Sequence, residues 1–394
     1  MDIEKDRVLK SLKSIVNINT VNPPGNELHL ANFIKNYMDS YNLSTDLKSV
    51  SENRSNIITT IKGSDSSRPA LIFSGHLDTV PIGEMKSWKQ DPFSGTIIDR
   101  KLYGRGSCDM KGGVAAILEA MIYLKKQDFT PKMDVKFVGT VGEEVDCIGS
   151  KSIVENAEIK NPGAMIIAEP SNNKIFTAHK GAFWLKIEVY GKTAHGSMPK
   201  EGNNAILASQ KIINNIYNLN FLKEKNNDLL GTSTVNVSMI EGGVNTNVVP
   251  DYCSVTVDFR TVPGIIHKNI YAEIERILTE MKNSNELINW NIETLHDLPP
   301  LSNTKDDDFI QMMFDIKNRS SNLQSKELGA NYYTDGSVYG EAFDIPIVIC
   351  GPGDEKLAHQ PNEYVDIDNY IEAIETYIHI IKAYSEAKNS VSTN

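Results

Sequence analysis

Ala70-Leu71-Ile72-Phe73-Ser74-Gly75-His76-Leu77-Asp78-Thr79-Val80-Pro81 is the stretch from which the rest of the chain can be read. Its first four residues form an apolar run of the kind buried on both faces of a parallel sheet. The run hands the chain to His76, at the end of a strand where open α/β sheets place their ligands. Two more strands end in the same way. Val135 to Thr140 leads into Gly142-Glu143-Glu144, and Ala164 to Ala168 leads into Glu169-Pro170. Between the first two, Val114 to Lys126 reads as a helix with Ile117, Leu118, Met121 and Leu124 on its buried side. Strands that alternate with helices argue for an α/β layer.

Further out, Val8, Leu9, Leu12, Ile15 and Val16 recur at helical spacing, and Asn22-Pro23-Pro24-Gly25 stops that pattern. A second helix follows with Phe33, Ile34, Tyr37 and Met38, then a strand over Asn56 to Ile61. The texture changes after Gly181. Leu185, Ile187 and Val189 alternate with Lys186 and Glu188; Val235, Val237 and Met239 with Asn236 and Ser238; Val255, Val257 and Phe259 with Thr256 and Asp258. Such alternation belongs to antiparallel strands with one wet face. Helical stretches near Ala205 to Tyr217 and Lys268 to Lys282 accompany them. Residues 181–295 therefore read as an α+β insertion, with Leu295 to Pro300 marking the return. Residues 1–180 and 296–394 read as two parts of one α/β domain, the second part carrying a strand at Ile345 to Cys350 and a helix from Ile367 to Tyr384.

The 394 residues suit two or three domains at about 150 residues each. With 40% apolar and 23% charged residues, a disordered tail, a collagen-like chain and a small disulfide scaffold are excluded. A net charge of −11 argues against nucleic acid or an anionic membrane as partner, because phosphate binding needs clustered Lys and Arg. The apolar runs are too short to span a bilayer. The charged start, Met1 to Arg7, lacks the apolar core of an export signal, so a cytoplasmic location is expected. Cys108, Cys147, Cys253 and Cys350 are widely separated, which fits free thiols in a reducing compartment.

Several residue types in these positions can do chemistry, and each has a plainer reading. His76 and Asp78 could be a satisfied loop pair, or an imidazole and the carboxylate that orients it. Leu102-Tyr103-Gly104-Arg105-Gly106-Ser107-Cys108-Asp109-Met110-Lys111-Gly112-Gly113 contains neither nucleotide-binding glycine pattern. It is either a turn before a helix or a loop that aims Asp109 into a cleft. A surface Glu-Glu pair is commonplace, but at a strand end one carboxylate can bind a metal while the other serves as general base. Glu169 ends an apolar strand, where a carboxylate needs a partner. His359 lies in a Gly/Pro-rich loop after another strand. Imidazoles and carboxylates gathered at strand ends form a zinc-type ligand set, and an aspartate shared between two ions makes a two-metal site.

Taken in order, SGHLDTVP (74–81), LYGRGSCDMKGG (102–113), GEE (142–144), AEP (168–170), GKTAHGSMP (191–199), NVVPDYCSVTVDFRTVPG (247–264), TDGS (334–337) and AHQPNEY (358–364) run along nearly the whole chain. Through them the sequence resembles the co-catalytic zinc hydrolases that include acetylornithine deacetylase, succinyl-diaminopimelate desuccinylase, aminoacylase-1 and glutamate carboxypeptidase. The resemblance implies a zinc-exopeptidase-like catalytic domain, a central mixed sheet flanked by helices, with residues 181–295 as an inserted dimerisation or lid domain. It implies two Zn²⁺ per subunit, with Co²⁺ able to substitute. His76, Asp109 and Glu169 would surround one ion, and Asp109, Glu144 and His359 the other. Glu143 would be the general base and Asp78 the orienter of His76, and the Asp109–Met110 bond would be cis.

The same resemblance assigns Arg260 to the substrate's α-carboxylate, against a plain reading as a solvated surface cation. Asn247, Thr334 and Gly336 would line the substrate pocket. His195, otherwise a turn residue, would reach from one subunit of a homodimer into its partner's cleft and bind the developing oxyanion. Glu169, where the aminopeptidases and dipeptidases of the family tend to carry Asp, points to the deacylase and carboxypeptidase branch, within which removal of an acetyl or succinyl group from an N-acylated amino acid is expected. The AHQP segment looks more like acetylornithine deacetylase than desuccinylase. An exopeptidase and a non-catalytic metal-binding homologue are the rival readings.

Overall fold

The computed structural model describes residues 1–303, 307–320 and 326–387. The chain divides into two compact units. The first comprises Met1–Thr177, Asn303–Leu328 and Thr334–Asn394; the second comprises Ala178–Ser302 and Gly329–Tyr333.

In the first unit, six strands of the main sheet lie in the order Ser44–Ser51, Arg54–Ile61, Val135–Thr140, Ala70–His76, Pro162–Pro170 and Ile347–Gly351. The last four are mutually parallel, and the first two add on as antiparallel neighbours. Every residue of Ala70–His76 is buried, as its apolar run requires. Register aligns the strand ends: His76 stands opposite Thr140, and Ser74 opposite Ile167. From Ala70–His76 the chain goes to Val135–Thr140 on one side and then crosses to Pro162–Pro170 on the other. The reversal opens a crevice at the C-terminal end of the His76 strand.

Helices Lys5–Asn17, Lys111–Lys126 and Ile367–Glu386 share one apolar core with these strands. Phe73 is fully buried and meets Tyr377 edge-on at 5.2 Å; truncation to Ala would cost about 3–5 kcal/mol. Lys111–Lys126 is buried around nearly its whole circumference rather than on one stripe, because it touches both the strands and the other two helices. Gly113 makes this approach possible: a Cβ there would stand 2.1 Å from the Ala168 carbonyl oxygen. The loop before the helix is thereby drawn up to the strand that carries Glu169. Strand Ser44–Ser51 has no counterpart in the sequence reading. It is a polar edge strand whose residues are largely solvated, so no apolar alternation marks it.

The second unit is built on a four-stranded antiparallel sheet in the order Thr234–Gly242, Tyr252–Thr261, Gly181–Tyr190, Asn289–Leu298. Leu185, Ile187, Val189, Val255, Val257 and Phe259 face helices Ala205–Tyr217 and His267–Asn283. Asn204 caps the first of these helices by accepting from the Ile206 and Leu207 N–H groups. The alternation read over Val235, Val237 and Met239 breaks at a bulge between Val237 and Met239, and Met239 is 57% exposed. The return to the first unit comes at Asn303, later than the sequence suggested. Asn289–Leu298 continues the sheet beside Gly181–Tyr190, and Leu301 and Ser302 pair with His179 and Ala178. Among the described residues no helix is long and apolar enough to cross a membrane. All four cysteines are buried and unpaired.

Candidate metal centre

The parallel strands of the first unit bring six ionisable side chains together. His76 ends its strand with 1% of its surface exposed. Its Nδ1 lies 2.9 Å from the main-chain oxygen of Asp78, which can only accept, so Nδ1 carries a hydrogen and Nε2 is the ring atom left to face the carboxylates. That Nε2 stands 3.1 Å from Asp109 Oδ1 and 3.5 Å from Glu169 Oε1. The other oxygen of Asp109, Oδ2, lies 3.4 Å from Nε2 of His359, which is also 3.0 Å from Glu144 Oε2. Asp109 thus offers one oxygen to each imidazole. The Asp109–Met110 peptide bond is cis.

Glu143 and Glu144 sit in a turn opened by Gly142 at φ +79°. The carboxylate of Asp78 holds this turn: Oδ1 accepts from the N–H groups of Gly142 (3.0 Å) and Glu143 (3.2 Å), and Oδ2 from Glu144 (3.3 Å) and the Asn22 amide (2.9 Å). Asp78 therefore orients His76 through its main chain, its carboxylate being 3.6 Å from the ring, and devotes the side chain to the Glu-Glu turn. Sequence reasoning missed Asn22, which lies in the Asn-Pro-Pro-Gly stop. Thr334 and Gly336 are buried. The Thr334 hydroxyl accepts from the Gly336 N–H at 2.9 Å, and Asp335 between them accepts from Thr140 and Ser150. That segment fixes the end of the Val135–Thr140 strand.

The electrostatics describe a cluster in need of cations. Burial opposes charge on His76, yet Glu169, Asp109, Glu143 and Asp78 carry its pKa well above 6.5. Hydrogen bonds donated to Asp109 and Glu144 raise His359 to about 10. Burial, reinforced by Glu169, pushes Glu143 well above the usual carboxylate range, and burial raises Glu169 and Glu144 as well. For Asp109 burial works against ionisation, but hydrogen bonds from His359 and His76 prevail and hold it low. Glu144 Oε1 is buried with no hydrogen-bond partner among the described residues. Ligand atoms of His76, Glu143 and Glu169, and of His76, Asp109 and Glu144, lie within 4.8 Å of one another. Nitrogen and carboxylate donors, an orphaned buried oxygen and an excess of negative charge fit divalent ions.

Three expected site residues belong to the second unit. His195 is exposed; its Nδ1 accepts from the Ser197 N–H at 3.2 Å, which places a ring proton on Nε2. The loop carrying Asn247 pairs with that of His195, the Asn247 carbonyl accepting from Gly196 at 2.7 Å. The Arg260 guanidinium lies over the rings of Trp184 and Tyr333, each at 5.7 Å, with Nε 3.0 Å from Asp258.

Residues 72–383 match the model of the peptidase family M20/M25/M40. The chain belongs to this family. It is 31% identical to a probable succinyl-diaminopimelate desuccinylase of Staphylococcus aureus, covering 95% of this chain and 96% of the relative. It is 30% identical to the acetylornithine deacetylase of Buchnera aphidicola, over 91% and 93% of the two chains. In fold it is similar to an M20 metallo-carboxypeptidase from Sulfolobus solfataricus (TM-score 0.81, 19% identity, 97% and 100% covered). It is also similar to a dinuclear metal-binding M20 peptidase from Bacillus subtilis (TM-score 0.75, 16% identity, 98% and 99% covered). As an M20 member the chain is a metal-dependent hydrolase of amide bonds.

Proposed function

We propose that this enzyme removes an acetyl or succinyl group from an N-acylated amino acid. The observation that carries the reading is the division of Asp109, whose two oxygens face two imidazoles that each have a further carboxylate, Glu169 or Glu144. His76, Asp109 and Glu169 would hold one zinc ion and Asp109, Glu144 and His359 another, with cobalt able to replace zinc. Ions so held would acidify a water and polarise an amide carbonyl. Glu143, with its raised pKa, is suited to take the water's proton and to deliver it to the leaving amine. Asp78 keeps this base in register with Glu144 through the turn they share.

For the substrate's α-carboxylate the reading names Arg260. Asp258 engages Nε, and the two terminal nitrogens form a fork that a carboxylate matches. Asn247, Thr334 and Gly336 belong to the segments assigned to the pocket wall. Glu169 supports the deacylase and carboxypeptidase branch, and the names of the relatives that match across almost the whole chain support the acyl-amino-acid substrate within it. The four buried free thiols agree with a reducing, cytoplasmic setting.

We also propose a homodimer formed through the second unit. Its edge strand exposes Met239 and Ile240, Val244 beyond it is 82% exposed, and Leu207 on the neighbouring helix is 57% exposed. A second copy would cover these side chains and close the open edge. His195, its Nε2–H outward, is the residue this reading lends to the partner's oxyanion. Mixing Glu143→Ala with His195→Ala subunits tests it. Random pairing would restore about a quarter of wild-type activity; a flat result with subunit exchange confirmed removes the shared site.

The substrate is tested on zinc-loaded protein with N-succinyl-diaminopimelate, N-acetylornithine, dipeptides and tripeptides. The expected result is preference for an acylated amino acid, abolished by chelation and restored by zinc or cobalt. Preferential cleavage of peptides would replace this reading with an exopeptidase, and undiminished activity in metal-stripped protein would remove the metal chemistry.

A further inference from the structure

Arg105 and Glu363 stood in two of the quoted motifs without a role. Both are buried, with 2% and 0% of their surface exposed, and they pair through Arg105 Nη1 and Glu363 Oε2 at 2.5 Å. A buried ion pair is a poor way to gain stability, because desolvation offsets most of the attraction. The remaining contacts of this pair are therefore informative. Glu363 Oε1 accepts from two consecutive amides, Cys108 (2.8 Å) and Asp109 (3.0 Å), 255 and 254 residues away in sequence. Arg105 in turn donates to the main-chain oxygens of Gln360 (3.3 Å), His359 (3.5 Å) and, behind the His76 loop, Pro81 (3.1 Å). Its guanidinium rests on the Trp88 ring at 5.2 Å, which fixes the plane of the fork. Tyr364 and Tyr103 pair in a short antiparallel ladder beside it.

We propose that Arg105 and Glu363 are the positioning residues of the metal centre: Glu363 sets the peptide of Asp109, Arg105 sets the loop of His359, and the ion pair holds the two in one register. The proposal rests on the two-ion reading. An aspartate that must give a separate oxygen to each of two ions tolerates misplacement of only about 0.5 Å. Two N–H groups anchored on one carboxylate remove the rotation that would otherwise blur it. His359 has an exposed side chain and a loop backbone at φ +64°; its ring meets Asp109 and Glu144, and the contact of its carbonyl with Arg105 holds the main chain that carries the ring.

The test is chelator competition for zinc, together with the absorption spectrum of the cobalt-loaded protein. Wild type is compared with Glu363→Gln, with Arg105→Met/Glu363→Leu, and with Glu119→Gln. The double variant replaces the pair by apolar groups of similar volume and leaves no unpaired buried charge. Glu119→Gln breaks a different ion pair, that of the buried Glu119 with the partly buried Arg7, and serves as the control for general loosening. Wild type is expected to bind two ions. The pair variants should weaken the ion at Glu144 and His359 about 10–100-fold, the usual effect of losing a ligand's outer partner, and alter the cobalt spectrum. Glu119→Gln should lower the melting temperature and leave both affinities alone. Unchanged affinities in a folded pair variant overturn the proposal, as does an equal loss in Glu119→Gln. Failure of both pair variants to fold while Glu119→Gln folds would assign the pair to the fold and overturn it too. A wild type that holds fewer than two ions would show instead that the two-ion reading is wrong, and the proposal falls with it.

Discussion

His76 in the first unit and His179 in the second are both buried, one exposing 1% of its surface and the other none, yet their surroundings move them in opposite directions. His179 meets a main-chain carbonyl, that of Lys180 at 2.9 Å, and burial lowers its pKa to about 4. His76 suffers the same penalty, but the carboxylates of Glu169, Asp109, Glu143 and Asp78 outweigh it and raise the pKa well above 6.5. Burial alone makes a histidine neutral. A ring of buried carboxylates makes its site attract positive charge, whether a proton or a metal ion supplies it. The contrast separates a histidine that fills a core from one that belongs to a reaction centre, and both look alike as single letters.

The sharpest way to break the contrast is Glu143→Gln, which removes a carboxylate from the ring without removing an assigned ligand. Turnover should fall about 10²–10⁴-fold with two ions still bound, measured as kcat alongside metal content. A drop in metal stoichiometry would exchange the roles of Glu143 and Glu144.

The second unit should show the opposite sign of histidine linkage. With a folded pKa of about 4 against 6.5 unfolded, His179 takes up its proton more readily in the unfolded chain. Stability is then fully present above pH 6.5 and falls as the pH drops towards 4, by an amount on the order of 3 kcal/mol. Denaturant unfolding across that range should lose this component of its acid slope in His179→Gln. An unchanged slope would mean that another group carries it.

A smaller effect tests whether the half-exposed Arg260 works as a fork or as a charge. Arg260→Lys keeps the charge and loses the bidentate geometry, so kcat/KM should fall about 10–100-fold for substrates with a free α-carboxylate. Substrates amidated at that position should barely distinguish the two proteins. Equal losses on both would make Arg260 a part of the Trp184–Tyr333 stack and nothing more.

The smallest change expected in the fold is Ile240→Lys, on an exposed edge, with stability within about 0.5 kcal/mol of wild type. Its effect should fall on association: mass in solution should move from dimer to monomer. A dimer that survives it with unchanged affinity would place the interface elsewhere.

Much of this molecule can be read from single strands. Apolar runs such as Ala70 to Phe73 and Ala164 to Ala168 announce burial on both faces, and each ends in a residue type that a buried strand end cannot leave without a partner. Those are local signals, written within a few residues. Edge strand Ser44–Ser51 escaped notice because a solvated strand needs no apolar pattern, and Met239 was misplaced because one bulge moves the rest of a strand out of step. The chemistry at a distance was beyond local reading altogether. That the Asp78 carboxylate serves the Glu143–Glu144 turn, that Asn22 closes it, and that Glu363 holds the amide of Asp109 depend on segments tens to hundreds of residues apart meeting at 2.9 to 3.3 Å. The sequence by itself determined which residues could carry charge into the core and at which strand ends. Only the tertiary structure decided which buried charge answers which, because that energy depends on separation in space, and separation along the chain says nothing of it.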